Sequence, residues 1–133
     1  MIQSAASPHP RSMMSHPLAQ VLFWLASAFA VTMALLPHPP HMPMDALGDK
    51  FEHMLAFATL TLLAAFAFPD APRWRIAERL SFLGALIEVT QSIPSLHRDC
   101  DIRDWIADTV AIAVMTGLIA LAQFGRDRSR NRP

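Results

Sequence analysis

Polar and apolar residues fall in long blocks along this chain rather than in short periods. Leu18 to Leu36 carries no charged residue, and its length is close to the roughly 20 residues with which a helix crosses the hydrocarbon core of a bilayer. A second block, Phe51 to Phe68, is uncharged from Met54 onward. A third, Ile76 to Ile93, is interrupted by Glu78, Arg79 and Glu88 and is the weakest of the set. A fourth, Trp105 to Phe124, is apolar apart from Asp108 near its start. The pattern predicts four helices.

The segments between them are marked by turn chemistry. Pro37, Pro39, Pro40 and Pro43 predict a loop, and Pro69 to Pro72 a tight turn. Residues 1–17 are rich in Ser, Pro and His with no apolar period and predict a disordered leader. The polar stretch "GRDRSRNRP" at 125–133 predicts a basic tail that frays. A membrane domain over 18–124 lies between. A cleaved signal peptide is the rival for the first block, since Ala28, Phe29 and Ala30 give a small-x-small triplet. That triplet lies inside the apolar run rather than after it, which favours an uncleaved span.

Composition strengthens the membrane reading. Hydrophobic residues make up 53% of the 133 and charged residues only 17%, against about 25% in a typical soluble domain. Net charge is zero, so nothing favours nucleic acid. Four glycines form no phosphate-cradling loop. Cys100 is the only cysteine, which excludes an intrachain disulfide, and Asp99 and Asp101 beside it should raise its pKa and blunt its reactivity.

Charge placement predicts topology. With four spans, Arg73, Arg75 and Arg79 share a side with Arg126, Arg128, Arg130 and Arg132. Lys and Arg collect on the cytoplasmic side, so both termini should be inside, in an all-α, four-helix membrane bundle. With three spans the arginine tail would be stranded outside.

On that topology the unusual charges converge. Glu88 and Gln91 approach the outer end of the third helix, Glu88 about 9 Å below Pro94 at about 1.5 Å per residue. Asp49, Lys50, Glu52 and His53 open the second helix from the same face, and Asp104 and Asp108 the fourth. Ser81, Gly84, Glu88, Gln91 and Ser95 form one helical stripe; Asp49 with His53, and Asp104 with Asp108, are i,i+4 pairs. A shared wet cluster removes most of the about 2.5–3.5 kcal/mol that an ionised carboxylate costs at mid-bilayer. His53, Lys50 and Arg98 are the available counter-charges. Helix capping is the competing role for Asp49, Asp101 and Asp104, because acids suit a helix N-terminus. It does not account for Glu88, which sits between apolar neighbours.

The same residues carry a family resemblance. "DKFEHMLAF" (Asp49–Phe57) resembles the D-K-x-x-H-x-x-x-F signature of VanZ-like membrane proteins. "EVTQ" (Glu88–Gln91) resembles their E-x-x-Q, and "RDCDIRDWIAD" (Arg98–Asp108) their arginine followed six residues later by aspartate. The resemblance covers roughly Leu18 to Gln123. Asp108 stands where many members carry Asn, and Ala111 where they carry glycine. The family takes its name from a protein linked to teicoplanin resistance. The resemblance implies a bacterial inner-membrane protein acting on, or guarding, an envelope component; it supplies no mechanism.

Three roles compete. In the first, Arg98 with Lys50 holds a phosphate or carboxylate of an envelope lipid or glycan precursor. His53 and Glu88 then serve as an acid–base pair, Gln91 orients the ligand, and Asp49, Asp101, Asp104 and Asp108 complete the site. Whether a reaction follows is left open. In the second, Glu88, Asp104 and Asp108 relay protons or ions, although no matching charges continue into the inner halves of the helices. In the third, the chain is an accessory subunit whose polar cluster holds helices together. No cofactor is predicted; a divalent metal on Asp49, His53, Glu88 and Asp104 is compatible with the residue types alone.

Overall fold

The computed structural model describes residues 17–38, 40, 47–98 and 100–130, the side chains of Asp49 and Arg130 excepted. The predicted leader, apart from Pro17, lies outside the described residues, as do most of the proline loop and residues 131–133. Four helices follow in order: α1 (Pro17–Leu35), α2 (Asp49–Ala67), α3 (Arg73–Gln91) and α4 (Ile102–Arg130), with a 3-10 turn at Pro94–Leu96. The protein is all-helical.

Local chemistry fixes the ends. Pro17 opens α1, where its missing N–H is no loss. Gly48, at φ 91°, precedes α2 in a conformation that costs glycine little. α2 stops at Ala67 because Pro69 disfavours helical dihedrals at Phe68, whose φ is −131°. After α3 the chain turns through Pro94–Leu96 and reverses at His97, in the left-handed region at φ 50°. Asp101 then caps α4: its Oδ1 accepts the Arg103 N–H at 2.9 Å.

Three interhelical bonds define the topology. Gln20 Nε2, in the first turn of α1, donates to the Ala67 carbonyl at the end of α2 (3.1 Å). Gln91 Nε2, at the end of α3, donates to Ala34 O near the end of α1 (2.9 Å). Lys50 Nζ, at the start of α2, bonds Asp104 at the start of α4. The helices therefore run up, down, up, down. α2 and α3 each pack against all the others, α2 most extensively against α4. The core joins Phe23, Phe57, Leu60, Ala64, Ala67, Ile76, Leu80, Ile87 and Ile112.

The surface is apolar. Trp24, Phe29, Phe66, Phe82, Val89, Val114 and Leu121 are among the large side chains exposed on all four helices. Three helices, α1, α2 and α4, are long and apolar enough to cross a membrane; α3 is not among them. The reason is visible in its residues. Arg73, Arg75, Glu78 and Arg79 crowd its first two turns, while Glu88 and Gln91 are buried.

The helix bounds differ most from expectation in α3 and α4. α3 spans 73–91 rather than 76–93, since the chain turns at Ser92. Ser95 therefore leaves the predicted stripe and is exposed in the 3-10 turn. α4 continues to Arg130, so residues 125–130 are helical rather than frayed. Of the departures from the family pattern, Ala111 is buried. Helices approach closely at Gly84, where an added Cβ would stand 3.4 Å from Asp108 Oδ2, Phe57 Cζ and Trp105 Cδ1.

A candidate polar site at one end of the bundle

The starts of α2 and α4 and the end of α3 meet at one end of the bundle, and the charged residues meet with them. His53 Nδ1 lies 3.4 Å from Asp108 Oδ2, with 9% and 1% of the side chains exposed. One helical turn closer to the end, the Lys50 ammonium bonds Asp104, and it reaches Asp101 Oδ2 at 3.0 Å. Glu88 enters from α3. Its Oε2 accepts the Asp101 N–H at 3.0 Å, and its Oε1 is buried with no hydrogen-bond partner among the described residues.

A neutral network supports this layer from below. Ser81 and Thr109 hydroxyls lie 2.8 Å apart, and Trp105 Nε1 donates to Ser81 O (3.0 Å) and Oγ (3.2 Å). Those bonds pin α3 to α4 one to two turns from Glu88. The close approach at Gly84 lets Asp108 sit against α3 while it faces His53.

Electrostatics in the connecting segment follow from these contacts. The Arg103 N–H, then the Lys50 ammonium, hold the Asp101 carboxyl below its ordinary value. Desolvation, then the neighbouring Glu88 carboxylate, push the Cys100 thiol up. A thiol kept protonated is a poor nucleophile.

Lys50, His53, Glu88, Asp101, Asp104 and Asp108 thus come together as expected. His53 meets Asp108 across the helix interface, while Glu88 stays within its electrostatic reach. The side chain of Asp49 lies outside the described residues. Gln91 is 2% exposed and spends its amide donor on α1, so it ties helices together at the edge of the cluster. Lys50 is engaged by two carboxylates, which leaves it poorly suited to hold an anion. Arg98 is half-buried in the connecting segment and engaged there.

The contact between Cys100 and Glu88 escaped sequence reasoning, since nothing in the spacing shows that the segment after α3 folds back over Glu88. Among the described residues no three His, Cys, Asp or Glu side chains are arranged to hold a metal ion. Of the set Asp49, His53, Glu88 and Asp104, the side chain of Asp49 lies outside the described residues. What the arrangement offers chemically is a layer of buried carboxyl groups with Lys50 and His53 among its basic partners, suited to binding cations and exchanging protons.

No family model matches the chain, and neither a curated protein nor a solved structure matches it.

Proposed function

We propose that the chain is a VanZ-like, multi-pass inner-membrane protein with both termini cytoplasmic. Its polar cluster, at the outer face, binds or processes an envelope component. The observation that carries this reading is the joining of the three motifs in one layer, by Lys50 to Asp104, His53 to Asp108 and Glu88 to the Asp101 backbone. An extended shared cluster is more than helix association needs, since interhelical polar contacts contribute only about 0.6 kcal/mol on average.

Two further observations support four spans. On α3 the polar groups Ser81, Glu88 and Gln91 face neighbouring helices, while Phe82, Leu86 and Val89 are exposed. Mean composition understates how well such a helix suits lipid. The arginines of α3 and the last turns of α4 lie at the end opposite the cluster, where the positive-inside rule puts the cytoplasm. An effect on teicoplanin susceptibility rests on the resemblance alone.

A proton or ion path is the weaker reading. Toward the other end, the buried hydroxyls of Ser27 and Thr61 are used on carbonyls of their own helices, at 2.8 and 2.7 Å.

The test is thiol accessibility in intact cells. In a Cys100→Ser background, single cysteines at positions 46, 71, 95 and 129 are probed with an impermeant reagent. Labelling of 46 and 95 alone agrees with an outer-face cluster and four spans. Labelling of 129 but not 95 overturns both.

A further inference from the structure

The layer at the end of the bundle holds more acid than base. Glu88, Asp104 and Asp108 are 5%, 5% and 1% exposed, and His53 is the sole basic side chain buried among the described residues. Lys50, half-exposed, reaches in from the first turn of α2 and gives its ammonium to Asp104 and Asp101. Such an acidic layer repels anions and attracts cations.

Glu88 gives a second, independent observation. Its side chain faces the cluster, within electrostatic reach of Asp104 and His53. Oε2 takes a backbone N–H, whereas Oε1 is buried with no hydrogen-bond partner among the described residues. The Cys100 thiol also hydrogen-bonds this carboxyl group, but a thiol is a weak donor. A buried carboxylate oxygen without a strong donor is costly to hold, and a donor from a ligand removes that cost.

The kind of cation follows from what surrounds the layer. Lys50 already demonstrates that an ammonium fits, since one such group bonds two of these carboxylates. Three N–H donors on one charged nitrogen suit several carboxylate oxygens at once. Exposed Phe51, Ile102 and Ile106 stand on the helices that open here and offer apolar surface beside the charge.

We propose that Glu88 and Asp104 form a receptor for a protonated primary amine, and that Lys50 competes with this amine for the same carboxylates. The amine belongs to an aminolipid head group or to a free alkylamine. This names the ligand class of the outer-face site proposed above and rests on that reading for the side of the membrane.

The experiment uses the full chain purified in a non-ionic detergent and titrated calorimetrically with four probes: dodecylammonium, dodecyltrimethylammonium, dodecyl phosphate and ethylammonium. Dodecylammonium should bind saturably, and about tenfold more tightly to Lys50→Met, which loses the competing ammonium. Dodecyltrimethylammonium, with no N–H to donate, should bind about tenfold more weakly than dodecylammonium. Ethylammonium binding as well as dodecylammonium supports a free amine as the source; binding only with the long chain supports an aminolipid. Glu88→Gln in the Lys50→Met chain should remove the gain. If that double variant does not fold, the comparison of Lys50→Met with the parent decides. Preference for dodecyl phosphate, equal binding of the trimethyl probe, an unchanged affinity in Lys50→Met, or no binding overturns the amine receptor. None of these outcomes bears on which face the cluster occupies, and an inverted thiol-labelling pattern would leave the amine result standing.

Discussion

His53 Nδ1 on α2 and Asp108 Oδ2 on α4 lie 3.4 Å apart with almost no solvent exposure, so the most buried carboxyl group among the described residues faces an imidazole on the adjacent helix. Removing one partner of such a pair leaves the other buried, a change that typically costs about 3–5 kcal/mol. Asp108→Leu should therefore lower the stability of the detergent-solubilised protein by that amount. Asp108→Asn keeps an acceptor oxygen for the ring and should cost about 1 kcal/mol. Equal losses for the two substitutions, measured by unfolding midpoints, would show that packing rather than the polar contact matters here.

Gly84 tests the helix approach beside that pair. An alanine Cβ there meets Asp108, Phe57 and Trp105 at 3.4 Å, at the edge of ordinary contact. Alanine also gains about 1 kcal/mol over glycine in a helix interior. Gly84→Ala should thus be neutral or mildly stabilising. Gly84→Val must push α3 away from α4 and should cost about 1–3 kcal/mol. Thermal unfolding of the two variants checks both signs, and equal destabilisation by both would mean that α3 sits closer than this geometry.

The long uncharged runs and the prolines that bracket them made four helices and their order legible in the sequence, and the motif spacing brought out most of the acidic cluster. Partner choice was less legible, because it is set between helices. The i,i+4 spacing shows partners within one helix, whereas Asp108 meets the His53 ring from α4. Gln91 lies on the same helical face as Glu88 but is high enough on α3 to reach Ala34, so a residue read as a ligand contact serves as a tie. The α3 boundary was missed because Ile93 continues the apolar block, although Ser92 already ends the helix. Arginine and serine are compatible with helix continuation, which is why α4 runs on through residues that read as a tail.

Acid should weaken the connection between α2 and α4 in a defined window. The Asp101 carboxyl is held below its ordinary 3.8 by the Arg103 N–H and by Lys50. A group whose folded-state pKa is depressed contributes stability that is fully present above its unfolded value and is lost as pH falls through the folded one. The contribution of Asp101 should therefore be constant from neutrality to about pH 5 and disappear below 3.8. Asp101→Asn keeps an N-cap side chain and removes the titrating charge. Its unfolding midpoint should fall less steeply between about pH 4 and pH 2 than that of the parent protein, a range set by the lowered carboxyl. Parallel curves would assign acid sensitivity to other carboxylates.

Gln91 separates a structural tie from a ligand contact. Its amide donates to Ala34 O at 2.9 Å and holds the end of α3 to α1, and the side chain is 2% exposed. Leucine preserves the bulk and removes the donor. The partly buried carbonyl left behind should cost about 1 kcal/mol, the low end of the range for a lost partner. The loss should be local, because α2 still holds α1 through Gln20 and the core around Phe23. Limited proteolysis in detergent should therefore show faster cleavage in the connection after α1 in Gln91→Leu, while dodecylammonium affinity stays within about twofold of the parent, well under one 1.4 kcal/mol step. A large loss of affinity with unchanged proteolysis would return Gln91 to the binding site and overturn its assignment as a tie.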